Sequence, residues 1–344
     1  MSFYFDEEYC LQVLRDLLAS DSTTGFYEEI ETLICGILDD MGYPYQKLRK
    51  GGIIANLGGE GNAVAVTAHL DTIGLMVRRI NADGTLNVCP VGGLYPFYCV
   101  MENVNVYSRD GRKFTGTICR TPNSIHVTEN ELRDTPGDFR SNVCVVLDED
   151  VRNASDTRKL GIETGDVVAL EPRLVVSNGY IKSHFIDAKA CVAALLCVMH
   201  EMKRQNTVPG RKVYAYFSVY EEIGHGTSWL PADVKDILAV DIAPVGPDQT
   251  SDERKVSIFA KDSRYPYHYG MTNEIRSTAI RAAVDYCMDV FTPHYGTDCD
   301  TSLVAGYDVR HAAIGPGTAN SHGYERTHID GLRNTATLLW EYLH

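Results

Sequence analysis

Five short segments carry side chains able to bind metals or move protons, and each ends or follows an apolar run or sits in a turn. His69 and Asp71 close Ala68-His69-Leu70-Asp71, directly after the run Ala63 to Thr67. Strand alternation puts both on one face, so the imidazole can ligate a cation while the carboxylate orients it. Asp187 stands in Phe185-Ile186-Asp187-Ala188-Lys189, ahead of an apolar stretch of helical length. There it reads either as a cap of that helix or as a carboxylate bridging two cations with one oxygen on each. Glu221 and Glu222 follow the apolar run Val213 to Val219. Adjacent carboxylates at that place are costly without compensation. One can bind metal while its neighbour takes a proton from metal-bound water. Gly224 and Gly226 permit the tight turn this needs. Asp241, between Val240 and Ile242, is an acid in apolar surroundings, where an ionised carboxylate requires a partner. His322, in Ser321-His322-Gly323-Tyr324-Glu325, reads on its own as a solvated loop histidine. Taken singly, the other four segments also have ordinary readings as strand ends, a helix cap or a loop. His184, His200, His225, His268, His294 and His311 are assigned to structure or surface.

Ligands this far apart in sequence must be brought together by the fold, and the strand ends of an α/β sheet do so at least steric cost. Apolar spacing predicts a helix from Phe5 to Leu18 and a second one, capped within Asp21 to Thr24, running to about Met41. Strands are expected at Ile53 to Asn56 and Ala63 to Ala68. Between about Ile73 and Tyr180 the pattern changes to short β runs punctuated by Asp83-Gly84, Gly92-Gly93, Asp110-Gly111 and Gly165-Asp166. That stretch reads as a β domain inserted into an α/β one. The α/β pattern then resumes: a buried helix over Ala188 to Met202, strands at Val213 to Val219 and Ile237 to Ile242, a helix over Glu274 to Met288, a strand at Arg310 to Ile314 and a closing helix over Asn334 to Tyr342. The domain reading is therefore 1–73 with 181–344 as the catalytic part, and 74–180 as the insertion.

Thirty-two basic against 46 acidic side chains give a formal charge of -14, which opposes phosphate backbones and anionic lipid, so neither nucleic acid nor membrane is an expected partner. The ten cysteines form no CxxC pair and several sit in apolar runs, as reduced thiols of a cytoplasmic protein would. The amino-terminal segment lacks the basic start and apolar stretch of a signal peptide.

In order and at matching separations, Ala68-His69-Leu70-Asp71, Ile186-Asp187-Ala188-Lys189, Glu221-Glu222-Ile223-Gly224, Val240-Asp241 and Ser321-His322-Gly323-Tyr324-Glu325 resemble the metal-binding signature of the M42 family of metallo-aminopeptidases. The resemblance extends to Val91-Gly92-Gly93, His126, Leu160-Gly161-Ile162 with Gly165-Asp166, and Gly296-Thr297-Asp298. It implies an α/β fold: a mixed-sheet domain holding two metals, with helices on both faces, and an inserted β-barrel-like domain for assembly. It implies Asp187 as the bridging ligand, His69 and Asp241 completing one site, Glu222 and His322 the other, Glu221 as general base and Asp71 as support for the histidine. The cofactors implied are two divalent ions per subunit, zinc or cobalt foremost and manganese also suited to the nitrogen and oxygen set. The reaction implied is removal of the amino-terminal residue from a peptide with a free amine, through a metal-bridging hydroxide. A homo-oligomer, from dimer to tetrahedral dodecamer, is the implied assembly. The chain departs from the family at Ala188 and Lys189, where an aspartate or asparagine and then an arginine are usual, and in the turn Gly224-His225-Gly226, where a leucine and an arginine are usual. Lysine lacks the bidentate fork of arginine.

Two other functions use the same residues. A metal-dependent amidase or deacylase acting on a small acylated metabolite needs the same centre. A non-catalytic peptide-binding scaffold needs the fold without Glu221. Carboxylates spaced across a sugar site, as a glycosidase requires, are not apparent.

Overall fold

The run Ala63–His69 is buried at all seven positions, which explains why it is uniformly apolar until its last residues. A strand flanked by parallel neighbours on both edges and covered on both faces has no solvent side to alternate toward. The structure, a computed structural model, describes residues 2–122 and 124–344. In it this strand runs parallel to Val213–Ser218 on one edge and to Val234–Val240 on the other.

Around these three strands the sheet runs Tyr45–Lys47, Ile53–Gly58, Val213–Ser218, Ala63–His69, Val234–Val240, Arg310–Thr318, Val256–Lys261 and Tyr286–Val290, with Ala243–Pro244 added beside Arg310–Thr318. It is mixed, because Ile53–Gly58 and Val256–Lys261 pair antiparallel to their inner neighbours. Helices cover both faces. The helix Ile186–Arg204, buried along nearly its whole length, packs on the central strand and against the helices Glu7–Ala19 and Ile329–Leu343. On the other face Cys299, from the short helix Asp298–Val304, joins Ala65, Ile237, Ala239 and Ala313 in an apolar cluster.

The chain divides into two compact units, one made of 1–71 with 173–344 and the other of 72–172. The second is a closed antiparallel barrel of six strands, in the order Gly74–Ile80, Leu86–Val91, Val143–Leu147, Lys113–Arg120, Asn103–Tyr107 and Val167–Leu170. Closure removes the free edges that an open sheet would present. The segment Val175–Ser177 lies beyond the barrel: it pairs with Tyr180–Ser183, which in turn pairs with Glu325–His328 in a small sheet of the first unit.

Two expected elements are corrected. The second helix, expected to be capped within Asp21 to Thr24, begins at Glu28 with Tyr27 at its N-cap and no side-chain cap bond. The helix read over Glu274 to Met288 spans only Tyr269–Arg281, and Tyr286–Val290 is an edge strand parallel to Val256–Lys261. Ala283 takes a left-handed conformation (φ +51°) just beyond the helix end and turns the chain into that strand. Helical spacing alone did not reveal that break.

Candidate metal centre

Three neighbouring parallel strands deliver the first residues of the site at their carboxyl ends. His69 is the last residue of Ala63–His69, Glu221 and Glu222 open a tight turn shortly after Val213–Ser218, and Asp241 follows Val234–Val240. Asp187 comes from the first turn of Ile186–Arg204, where its own φ and ψ are not helical. It does not cap that helix: the N-cap position is Phe185, which makes no side-chain cap bond. His322 comes from the loop between Arg310–Thr318 and Glu325–His328. Three of the non-glycine residues held in the left-handed region are Phe185, Tyr220 and His322 (φ +67°, +69° and +63°), each at or within two residues of a candidate ligand. Such strain is typical of segments whose side chains are aimed by the surrounding fold.

The candidate donors gather in two overlapping groups. One consists of His69, Asp187 and Asp241, the other of Asp187, Glu222 and His322, and within each the donor atoms lie within 4.8 Å of one another. Asp187 belongs to both. Its Oδ1 is 3.0 Å from His69 Nε2 and its Oδ2 is 3.8 Å from His322 Nε2, so its two oxygens face opposite groups. His322 Nε2 is 3.4 Å from Glu222 Oε2, and His69 Nε2 is 4.0 Å from Asp241 Oδ1. Glu221 stands outside both groups, its Oε2 3.8 Å from His69 Nε2.

The polar frame behind these donors is hydrogen-bonded. His69 Nδ1 donates to the main-chain oxygen of Asp71 at 2.9 Å. A carbonyl only accepts, so Nδ1 carries the proton and Nε2 is turned toward the carboxylates. The Asp71 carboxylate has a further task besides the one its spacing predicts. It accepts from the amides of Glu221 (3.1 Å) and Glu222 (3.4 Å) and from the Thr24 hydroxyl (2.6 Å), while its Oδ1 stays 3.8 Å from His69 Nδ1. It therefore braces the glutamate turn, and the backbone of the same residue orients the imidazole. Glu325, quoted in the sequence only as the end of a motif, accepts from the amides of Asp187 (3.0 Å) and His322 (3.1 Å). Lys189 is buried and donates to the Ser20 carbonyl, away from the donors, and burial draws its ammonium down to about 7.

Electrostatically the site is crowded with carboxylates. Burial, with the charges of Asp241 and Asp298, pushes the Glu221 carboxyl well above the usual range. Burial and the charge of Asp187 do the same to Asp241. Burial also acts upward on Asp187, but the His69 hydrogen bond and charge outweigh it and hold that carboxyl low. His69 is raised in spite of burial, by Asp187, Glu221 and Asp241. Three or more buried carboxylates around two imidazoles are stabilised by a multivalent cation. Two nitrogen and three carboxylate donors, with one carboxylate common to both groups, fit a pair of divalent ions of the zinc, cobalt or manganese type.

In sequence and fold the chain is similar to known aminopeptidases. The sequence profile of the M42 glutamyl aminopeptidases matches residues 51–338. The YhfE protein of Bacillus subtilis is 36% identical over 337 residues, covering 97% of this chain and 96% of that one. The glutamyl aminopeptidase of Lactococcus lactis is 24% identical over 342 residues, covering 95% and 93%. Among solved structures, the TET1 peptidase of Pyrococcus horikoshii, which assembles into a tetrahedron or a large octahedral shell, superposes with a TM-score of 0.84 at 21% identity, over 97% of this chain and 99% of that one.

Proposed function

The chain belongs to the M42 family of glutamyl aminopeptidases, and from that membership we propose a two-metal aminopeptidase in which His69, Asp187 and Asp241 hold one ion and Asp187, Glu222 and His322 hold the other. The observation that carries this reading is the sharing of Asp187 between two three-donor groups, with Glu221 beside them and in neither. When bound, a pair of divalent cations activates water at neutral pH, polarises the scissile carbonyl and holds a neutral amine.

The protein's own part is positioning and proton transfer. Asp71 and Glu325 fix the main chain at Glu221, Glu222, Asp187 and His322, so the carboxylates meet the substrate already oriented. Glu221 takes the proton from the attacking water and returns it to the departing amine. Its buried setting raises its affinity for the proton it receives. A free amino terminus is needed because an acylated nitrogen has no basic lone pair to offer the cations.

The inserted barrel serves assembly. On its own surface it exposes Tyr95, Phe97, Met101, Ile125, Val127 and Leu132, apolar groups of the kind that a second copy would cover.

Purified protein loaded with zinc, cobalt or manganese and offered amino-acid anilides, free peptides and their N-acetylated forms tests the reading. Release of free amino-terminal residues from the unblocked substrates alone is the expected result. Cleavage confined to N-acyl substrates would make the chain a deacylase. Glu221→Gln should keep two ions per chain by elemental analysis and lose about a hundredfold or more in kcat.

A further inference from the structure

Asp298 lies outside both donor groups, yet it is almost fully buried directly beneath them. Its Oδ2 accepts from two hydroxyls at once, Thr67 Oγ1 at 2.6 Å and Ser218 Oγ at 2.5 Å. Thr67 is two residues before His69 on one central strand, and Ser218 is the last residue of the next, three before Glu221. These strands are neighbours, with Thr67 paired to Tyr216 and His69 to Ser218. One carboxylate oxygen therefore links the strand that ends in His69 to the strand that leads into Glu221 and Glu222.

The other oxygen presses on the glutamate turn. A Cβ at Gly226 would lie 1.8 Å from Asp298 Oδ1, so the turn approaches the carboxylate as closely as a glycine backbone allows. The turn is also held by Lys50, whose ammonium donates to the carbonyls of His225 and Gly226 and, at 2.9 Å, to Ser228 Oγ. The Asp298 main chain joins as well, accepting from the Thr227 hydroxyl. Burial draws the Lys50 ammonium down, and the negative charges of Asp298 and Asp71 act against that.

We propose that Asp298 is a positioning residue: it sets the spacing between His69 and the Glu221–Glu222 turn by clamping two strand ends through Thr67 and Ser218, with Lys50 holding the same turn. The proposal rests on the two-metal reading above. A hydrogen bond from a hydroxyl to a buried carboxylate is charge-assisted and directional, so it fixes separation more tightly than apolar packing between the same strands.

The test uses the full chain with Thr67→Val and Ser218→Ala, singly and together, and Thr67→Ser, which keeps the hydroxyl. These replacements are small enough to fold even if Asp298→Asn is not. Two readouts are taken: the visible absorption and affinity of bound cobalt(II), and the split of kcat from KM on a free-amine peptide. The double variant should bind cobalt about tenfold or more weakly with a shifted absorption band, and lose about tenfold or more in kcat with KM within about twofold, while Thr67→Ser keeps the parent values. A double variant with the parent spectrum, affinity and kcat overturns the proposal while leaving the peptidase reading intact. A parent chain that takes up no cobalt and cleaves no free-amine peptide overturns both.

Discussion

At the scale of single residues, the site divides into side chains whose type announces them and side chains whose contacts do. His69, Asp187, Glu221, Glu222 and Asp241 could be picked out because a polar group next to an apolar run is conspicuous wherever it falls. Asp71 was found by its spacing, but its carboxylate braces the glutamate amides, a bond between residues 150 apart that no local pattern encodes. Glu325 and Asp298 were visible only as parts of longer motifs, because what they do depends on which distant amides and hydroxyls the fold brings to them. Removing the Glu325 acceptor with Glu325→Ala leaves the amides of Asp187 and His322 without their partner and should weaken metal binding about ten- to hundredfold, measured by competition with a chelator. Asp300 carries a pH signature of its own. Burial, and then the charge of Asp262, push its carboxyl up to about 7. An unfolded aspartate titrates near ~3.9, so between these values the folded chain holds the extra proton. The stability contributed by this group is therefore complete below the unfolded value and is lost as pH rises toward about 7. Asp300→Asn should melt higher than the parent at alkaline pH, with the advantage vanishing as the pH is lowered toward that of a free carboxylate.

At the scale of elements, the central strands were legible because burial on both faces forces an unbroken apolar run. The boundary after Arg281 was not, since helix and edge strand share similar residues there and only the left-handed turn at Ala283 separates them. The strands also need small residues where main chains meet. A Cβ at Gly315 would fall 1.4 Å from the main-chain oxygen of Asp241, backbone against backbone, with no flexible side chain to yield. Gly315→Ala must push the Asp241 strand end aside, costing about 1–3 kcal/mol or more and separating Asp241 from His69 and Asp187. Thermal melting and cobalt titration of this variant should both show the loss.

At the scale of the whole molecule, the two units have different surfaces to manage. The alternation of short β runs with turn dipeptides made the insertion recognisable, but closure into a six-stranded barrel depends on long-range pairing such as Val104 with Leu170, which sequence spacing does not state. The apolar groups left outside that barrel give the assembly reading its test. Phe97→Asp with Val127→Asp, at two of its most exposed apolar positions, should lower the native mass measured by light scattering to that of a smaller species, without lowering the melting temperature of the chain. Among the described residues no helix is long and apolar enough to cross a membrane.

The donors of the metal centre are drawn from positions 69, 187, 222, 241 and 322, one of them shared by both groups. Half a centre has no bridging partner on its far side, and the loop that brings His322 is tied down only when Glu325 pairs into the small sheet. During synthesis the ribosome releases these residues in order, so the candidate donors can come together only after residue 322 has been made. On the proposed reading, a peptidase built this way gains its site only when its folding is finished.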